Sequence, residues 1–86
     1  YGFTKTLALE LARKGVTVNT ISPGYVATKM VMAVPEEIRN AIIQQIPVGR
    51  LGNPQEIARC VTFLASEESG FITGSNLHVN GGHYLA

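Results

Sequence analysis

Gly15-Val16-Thr17-Val18-Asn19-Thr20-Ile21-Ser22-Pro23-Gly24-Tyr25-Val26-Ala27-Thr28 decides how this chain folds. Residues 16–21 are rich in β-branched side chains, which favour a pleated, half-buried strand. Pro23 lacks an N–H and has a fixed φ, so a central strand is expected to stop there. Gly24 opens backbone angles closed to other residues and lets a ligand approach the main chain. Upstream, residues 1–14 read as a helix, with Phe3, Leu7, Ala8, Leu11 and Ala12 on its apolar side and Thr6, Glu10 and Arg13 opposite. Leu9 falls outside that stripe, which suggests two buried faces. Arg13 and Lys14 suit the negative end of the helix dipole, and Gly15 suits the cap. Helix, tight glycine turn and strand in this order belong to an α/β fold. A loop leaving the carboxyl end of such a strand is where ligands bind in open α/β sheets, although an ordinary strand-to-loop turn has the same composition.

Beyond the loop, residues 29–34 are apolar but carry no clear period, and a flap is expected there. Pro35 opens a helix with Glu36 and Glu37 in its first turn. Ile38, Ala41, Ile42 and Ile46 share one face, and Pro47 ends the helix. Asn53-Pro54-Gln55-Glu56 is the clearest helix start in the chain, with an N-cap, a first-turn proline and a capping-box glutamate. Ile57, Cys60, Val61 and Leu64 follow at helical spacing. That helix should fade through residues 66–69 and stop at Gly70. A second short strand is expected over 76–80, with Leu77 and Val79 on one face, before Gly81-Gly82 and a tail from His83 to Ala86.

At 86 residues the chain is at most one small domain, of a size that is marginal alone. Yet 45% of residues are hydrophobic and only 15% charged, against a typical charged share of about 25%. Such a balance implies apolar faces that need partners beyond these residues. A net charge of +1 gives no electrostatic case for nucleic acid or an anionic membrane surface. The single cysteine excludes an internal disulfide framework, and no apolar run is long enough to span a bilayer. We expect a cytoplasmic location, and Tyr1 reads as the middle of a longer protein.

Several chemistries fail on inventory. The sequence has no Asp, which removes Asp-dependent triads and many metal sites. Two histidines and one cysteine make no zinc site without outside ligands, so no metal ligand is assigned. Cys60 lies on the apolar side of its helix and reads as packing. His78 alternates with core residues and should face solvent or a neighbour. His83 reads as a solvated tail residue or as part of a neighbouring subunit's site. Tyr1 and Lys5 have a Tyr-x-x-x-Lys spacing, which places phenol and ammonium on one helical face, where the lysine could tune a tyrosine proton donor. Two positions in five match easily by chance. Gly70 to Asn76 resembles a glycine-rich phosphate loop, but it follows a helix and precedes a strand, the reverse of what phosphate binding needs. It reads as a structural connection.

Three stretches taken together resemble one family. Gly2-Phe3-Thr4-Lys5-Thr6-Leu7-Ala8-Leu9-Glu10-Leu11, Val18 to Thr28, and Thr73-Gly74-Ser75-Asn76-Leu77-His78-Val79-Asn80-Gly81-Gly82 resemble the carboxy-terminal third of short-chain dehydrogenases/reductases. More narrowly, Ser22-Pro23-Gly24-Tyr25, Ile46-Pro47-Val48-Gly49-Arg50-Leu51-Gly52 and Ser66-Glu67-Glu68-Ser69-Gly70-Phe71 are similar to the family's acetoacetyl-CoA reductases. Its 3-oxoacyl-acyl carrier protein reductases come a close second. The resemblance implies an α/β, Rossmann-like doubly wound parallel sheet, of which residues 1–86 would supply the last two strands and their flanking helices. The dinucleotide-binding part would lie upstream.

The same resemblance implies NADPH as cofactor and a 3-oxoacyl-CoA or acyl carrier protein thioester as substrate. Pro23, Gly24, Val26 and Thr28 match the positions that hold the nicotinamide, Val26 through its backbone and Thr28 through its hydroxyl. Tyr25 matches a substrate-pocket position. Asn19 and Ser22 would support the loop. Lys29 departs from an acidic residue common after that threonine, and it is given no role. Residues 29–46 match the flap over substrate. The helix from Pro54 and the strand at 76–80 match the surface through which the family forms homotetramers. The family's catalytic Tyr-x-x-x-Lys precedes the Gly-Phe-Thr-Lys stretch on the same helix, so Tyr1 and Lys5 do not match it. No catalytic residue is assigned within the chain.

Overall fold

The computed structural model describes residues 1–83. The expected tail residues Tyr84, Leu85 and Ala86 lie outside that range. Helix α1 (Gly2–Leu11) runs into one 3-10 turn (Ala12–Lys14) and then Gly15, which takes φ +75° and donates its N–H to the Ala12 carbonyl. Strand β1 is Thr20–Pro23. A one-turn helix α2 (Lys29–Met32), then α3 (Glu36–Gln44) and α4 (Pro54–Ala65) follow, and strand β2 is Asn76–Val79. The two strands are parallel neighbours, with Thr20 opposite Asn76 and Pro23 opposite Val79. The helices intervene in sequence between the strands, as a parallel pair requires. The fold is therefore α/β, a two-stranded parallel sheet with flanking helices.

The strand begins later than its composition suggests, at Thr20 rather than Val16. Residues 16–19 supply strand propensity, but their partners are loop groups: Thr73 Oγ1 accepts from Val18 N–H at 3.1 Å, and Gly74 N–H donates to the Val18 carbonyl at 2.8 Å. A ladder starts only where the partner is itself extended. Pro23 is the last strand residue rather than the first beyond it. In a parallel pair alternate residues face the partner, and the next donor, Gly24 N–H, bonds the Val79 carbonyl at 2.9 Å. The missing donor of Pro23 therefore faces away from β2.

Asn19 locks the approach to β2. Its Nδ2 donates to the Ile72 carbonyl at 3.0 Å, and its Oδ1 accepts from Ser75 N–H at 3.1 Å. Ser22 Oγ donates to Asn76 Oδ1 at 2.8 Å, one register step away. Thr4 and Thr20 share a 2.7 Å hydroxyl hydrogen bond that pins α1 to β1. The glycine-rich stretch 70–76 is the connection its order implied, with Gly74 in the left-handed region at φ +72°.

Residues 29–34 were expected as a flap without regular structure. Instead Thr28 Oγ1 accepts from Val31 N–H at 3.4 Å and caps the short α2. Pro35 is the N-cap of α3 rather than its first helical residue. The start of α4 follows the sequence closely: Asn53 Oδ1 accepts from Gln55 N–H, and Glu56 Oε1 accepts from Asn53 N–H at 2.9 Å.

Packing is thin. Among the described residues, Ala8 and Ile46 are the buried hydrophobic ones, at 3% and 4% exposure. Phe3 was expected on the buried side of α1 yet is mostly exposed, and Leu9, on the other side, is 82% exposed. Ile38 and Val61 are also more than half exposed. The radius of gyration is 15.6 Å, against about 12 Å for a self-contained domain of this length. The apolar faces exist, but the surface that would cover them is not supplied by these residues.

Candidate functional site

Both strands point the same way, so the segment has an amino edge and a carboxyl edge. The loop from Pro23 to Thr28 leaves the carboxyl edge. It is tied to the turn before α4 by an isolated parallel bridge between Val26 and Gly52. Gly52 N–H donates to the Tyr25 carbonyl and Ala27 N–H to the Gly52 carbonyl, each at 2.9 Å. That pattern uses the groups on either side of Val26 and turns the backbone of Val26 itself away from Gly52. Thr28 N–H then donates to the Val26 carbonyl at 2.7 Å, a three-residue turn about Ala27. Val26 N–H is left directed out of the bridge, two residues from the Thr28 hydroxyl.

Gly24 serves a purpose that composition did not reveal. A Cβ built on it would lie 2.8 Å from Asn80 Cβ and 2.9 Å from Asn80 Cα. The space a side chain would take is occupied by the backbone after β2. The glycine therefore permits close packing within the chain, on the side facing Asn80.

Tyr25 is half exposed, and its ring lies 5.9 Å from the His83 ring at a 31° tilt. His83 was read as a tail residue, solvated or serving another subunit; it stands beside Tyr25 of its own chain. A cavity of about 140 Å³ adjoins Tyr25, with Ile46, Val48, Arg50, Val79 and Gly81 in its walls. Ligand pockets usually span roughly 300–1,000 Å³, so these residues form one wall of a site rather than the whole. Among the described residues, no group of three or more His, Cys or Glu side chains could hold a metal ion.

Arg50 reaches from this wall to α4. Its Nη1 and Nη2 donate to the two carboxylate oxygens of Glu56 at 2.7 and 3.1 Å. The guanidinium first, and the Asn53 N–H second, hold the Glu56 carboxyl well below the usual carboxylate range, at about 2.

Tyr1 and Lys5 stand elsewhere. The Tyr1 hydroxyl donates to the Gly74 carbonyl at 2.8 Å, and the Lys5 ammonium lies 4.6 Å from the Tyr1 ring centroid. Gly74 precedes β2, at the amino edge. The four residues of β2, at about 3.3 Å each, separate it from the carboxyl edge where the loop leaves. The pair acts as an anchor, with the ammonium over the ring face rather than on the phenol oxygen.

The loop at the carboxyl edge thus carries Pro23, Gly24, Tyr25, Val26 and Thr28 together, with His83 beside Tyr25 and Asn80 beside Gly24. Neither neighbour was legible beforehand. The Asn80-Gly81-Gly82 sequence signalled a turn, but not what the turn would touch.

Comparison with known proteins decides the family. Residues 1–84 match the family described as enoyl-(acyl carrier protein) reductase. The chain belongs to this branch of the short-chain dehydrogenases/reductases. It is 64% identical to the acetoacetyl-CoA reductase of Rhizobium meliloti over 86 residues, covering 99% of this chain and 36% of that protein. It is 64% identical over 85 residues to the acetoacetyl-CoA reductase of Shinella zoogloeoides, covering 98% and 35%. The 3-oxoacyl-acyl carrier protein reductase of Vibrio cholerae is 56% identical over 84 residues, covering 98% and 34%. The chain therefore spans about a third of the length of these short-chain reductases.

Proposed function

We propose that residues 1–86 are the carboxy-terminal segment of an NADPH-dependent reductase of 3-oxoacyl thioesters, converting acetoacetyl-CoA to 3-hydroxybutyryl-CoA. A 3-oxoacyl thioester of acyl carrier protein is the alternative substrate. One observation carries the reading. The loop at the carboxyl edge, where α/β sheets bind ligands, presents an outward backbone N–H at Val26 and a hydroxyl at Thr28, in a chain 64% identical to a reductase named for acetoacetyl-CoA.

The chemistry of the loop fits a nicotinamide. Its carboxamide needs a donor for the oxygen and an acceptor for the nitrogen. Val26 N–H supplies the first, and the Thr28 hydroxyl can serve either role. Pro23 and Gly24 shape the backbone beneath the ring. When bound, the reduced nicotinamide supplies the reducing equivalent for the carbonyl. These residues orient it, and orientation is what a cofactor enzyme's protein contributes at such positions. Tyr25 lines the substrate side, and the proton donor belongs to the part of the reductase outside this chain. The preference for NADPH over NADH rests on the resemblance. The surface of α4 and β2 would form the homotetramer contacts.

A non-catalytic reading also has a specific observation in its favour: Leu9 and Phe71 are almost wholly exposed. In that reading the 86 residues act as an assembly module, inactive by themselves. One experiment addresses both. NADPH oxidation is followed with acetoacetyl-CoA, a 3-oxoacyl-acyl carrier protein and a 2-enoyl thioester, using the full-length reductase and the 86-residue chain in parallel. Turnover of acetoacetyl-CoA by the full-length protein alone is the expected result. Turnover of only the acyl carrier protein substrate would change the substrate assignment. Turnover of only the enoyl thioester would overturn carbonyl reduction.

A further inference from the structure

The turn after β2 touches both halves of the candidate site. Asn80 Oδ1 accepts from Gly82 N–H at 3.0 Å, and the Asn80 carbonyl accepts from His83 N–H at 3.1 Å. These bonds close the turn on its own side chain and backbone. On one side, Asn80 Cα and Cβ fill the space beside Gly24, whose N–H is bonded to Val79. On the other, the Gly81 carbonyl accepts from Val48 N–H at 3.1 Å. A Cβ on Gly81 would fall 2.8 Å from Ile46 Cγ2, and Gly81 takes φ +62°. Ile46 is a buried hydrophobic residue, and it closes the segment that α2 and α3 begin.

We propose that Asn80 is a positioning residue, which sets the nicotinamide loop at 23–28 against the base of the α3 segment at 46–48. The inference rests on the reading that the loop at 23–28 meets the cofactor. Among the described residues, the loop at 23–28 and residues 46–48 do not hydrogen-bond each other, the direct tie to the loop lying further on, at Gly52. Each bonds the strand-end turn, Gly24 through Val79 and Val48 through Gly81. A turn closed by its own side chain transmits displacement; a loose one absorbs it. Asn suits the position because its short amide can accept from the N–H two residues on. Loosening one contact of the turn therefore loosens both segments.

The test is hydrogen exchange, read by mass spectrometry on the full-length reductase, with NADPH titration alongside. Asn80→Ala removes the side-chain acceptor and keeps the Cβ against Gly24. Exchange should quicken about tenfold in peptides covering 21–28 and, short of Gly52, 45–49, while α4 keeps its protection. The NADPH Kd should rise by a similar factor. Faster exchange throughout the protein would mark a merely structural role and overturn the proposal, as would a change confined to 80–83. Gly81→Ala approaches from the Ile46 side and decides the matter if Asn80→Ala does not fold. It should quicken exchange at 21–28 as well as at 45–49, and unchanged protection at 21–28 would overturn the coupling. If both segments respond together but the wild-type protein binds no NADPH, the coupling stands and the cofactor reading falls.

Discussion

Arg50 and Glu56 form a two-point ion pair, with nitrogen–oxygen distances of 2.7 and 3.1 Å, and the same Glu56 carboxylate accepts from the Asn53 N–H. One side chain thus joins the turn at the cavity wall to the first turn of α4.

This pair predicts an acid limb in stability. The Glu56 pKa is lowered from 4.5 to about 2, first by the Arg50 hydrogen bonds and then by the Asn53 N–H. A carboxylate lowered on folding stabilises the folded state above its unfolded pKa. That contribution is lost as pH falls from 4.5 towards 2. Denaturant midpoints measured across this range should fall for the wild type. Glu56→Gln keeps an acceptor for Asn53 but loses the ion pair, so its acid limb should be flatter. Parallel curves would show that other carboxylates carry the effect.

Asn19→Ala removes both bonds that hold the turn before β2. A loss of about 1–3 kcal/mol in unfolding free energy is expected. Asn19→Asp keeps the acceptor for Ser75 and loses the donor to Ile72, and it should fall between. Chemical denaturation of the full-length protein checks the order, and an alanine variant as stable as wild type would remove Asn19 from the account of the fold.

Gly24→Ala places a methyl group against the backbone of Asn80, which cannot rotate away as a side chain could. We expect a stability loss of about 1–3 kcal/mol and a weaker NADPH interaction. Thermal unfolding and cofactor titration read the two effects. Unchanged values in both would mean that the approach of Asn80 relaxes without consequence.

Thr28→Ala should raise the cofactor KM, while Thr28→Ser, which keeps the hydroxyl, should stay close to wild type. The hydroxyl also caps α2 at 3.4 Å, so circular dichroism of both variants guards against a loss of helix. Unaltered KM in the alanine variant counts against a cofactor contact.

Tyr1→Phe tests the Tyr-x-x-x-Lys spacing directly. Loss of the hydrogen bond to Gly74 should cost about 1 kcal/mol and leave turnover nearly intact. A fall in kcat of several orders of magnitude at unchanged stability would make Tyr1 catalytic.

Local chemistry was legible wherever a residue acts on its neighbours in sequence. Asn53 and Glu56 announced the start of α4, Gly15 the turn into β1, and the order of glycines at 70–76 a connection rather than a phosphate loop. Boundaries were less legible. Residues 16–19 have the side chains of a strand, but the ladder waits for an extended partner at Asn76. The one-turn α2 escaped notice because its cap, Thr28, had been read for a ligand role. The loop residues Pro23 to Thr28 stand out from their own sequence and from resemblance; Asn80 and His83 do not, since more than fifty residues separate them from the loop.

By itself, then, the sequence determined the types and order of α1, β1, α3, α4 and β2, the α/β class and the family, because propensity, capping and motif are properties of adjacent residues. The tertiary structure alone decided that the loop pairs with Gly52, that Tyr1 and Lys5 stand at the other edge, and that Gly24 makes room for Asn80. Those are relations between segments far apart in the chain, and they exist only once parallel pairing has fixed the two strands in register.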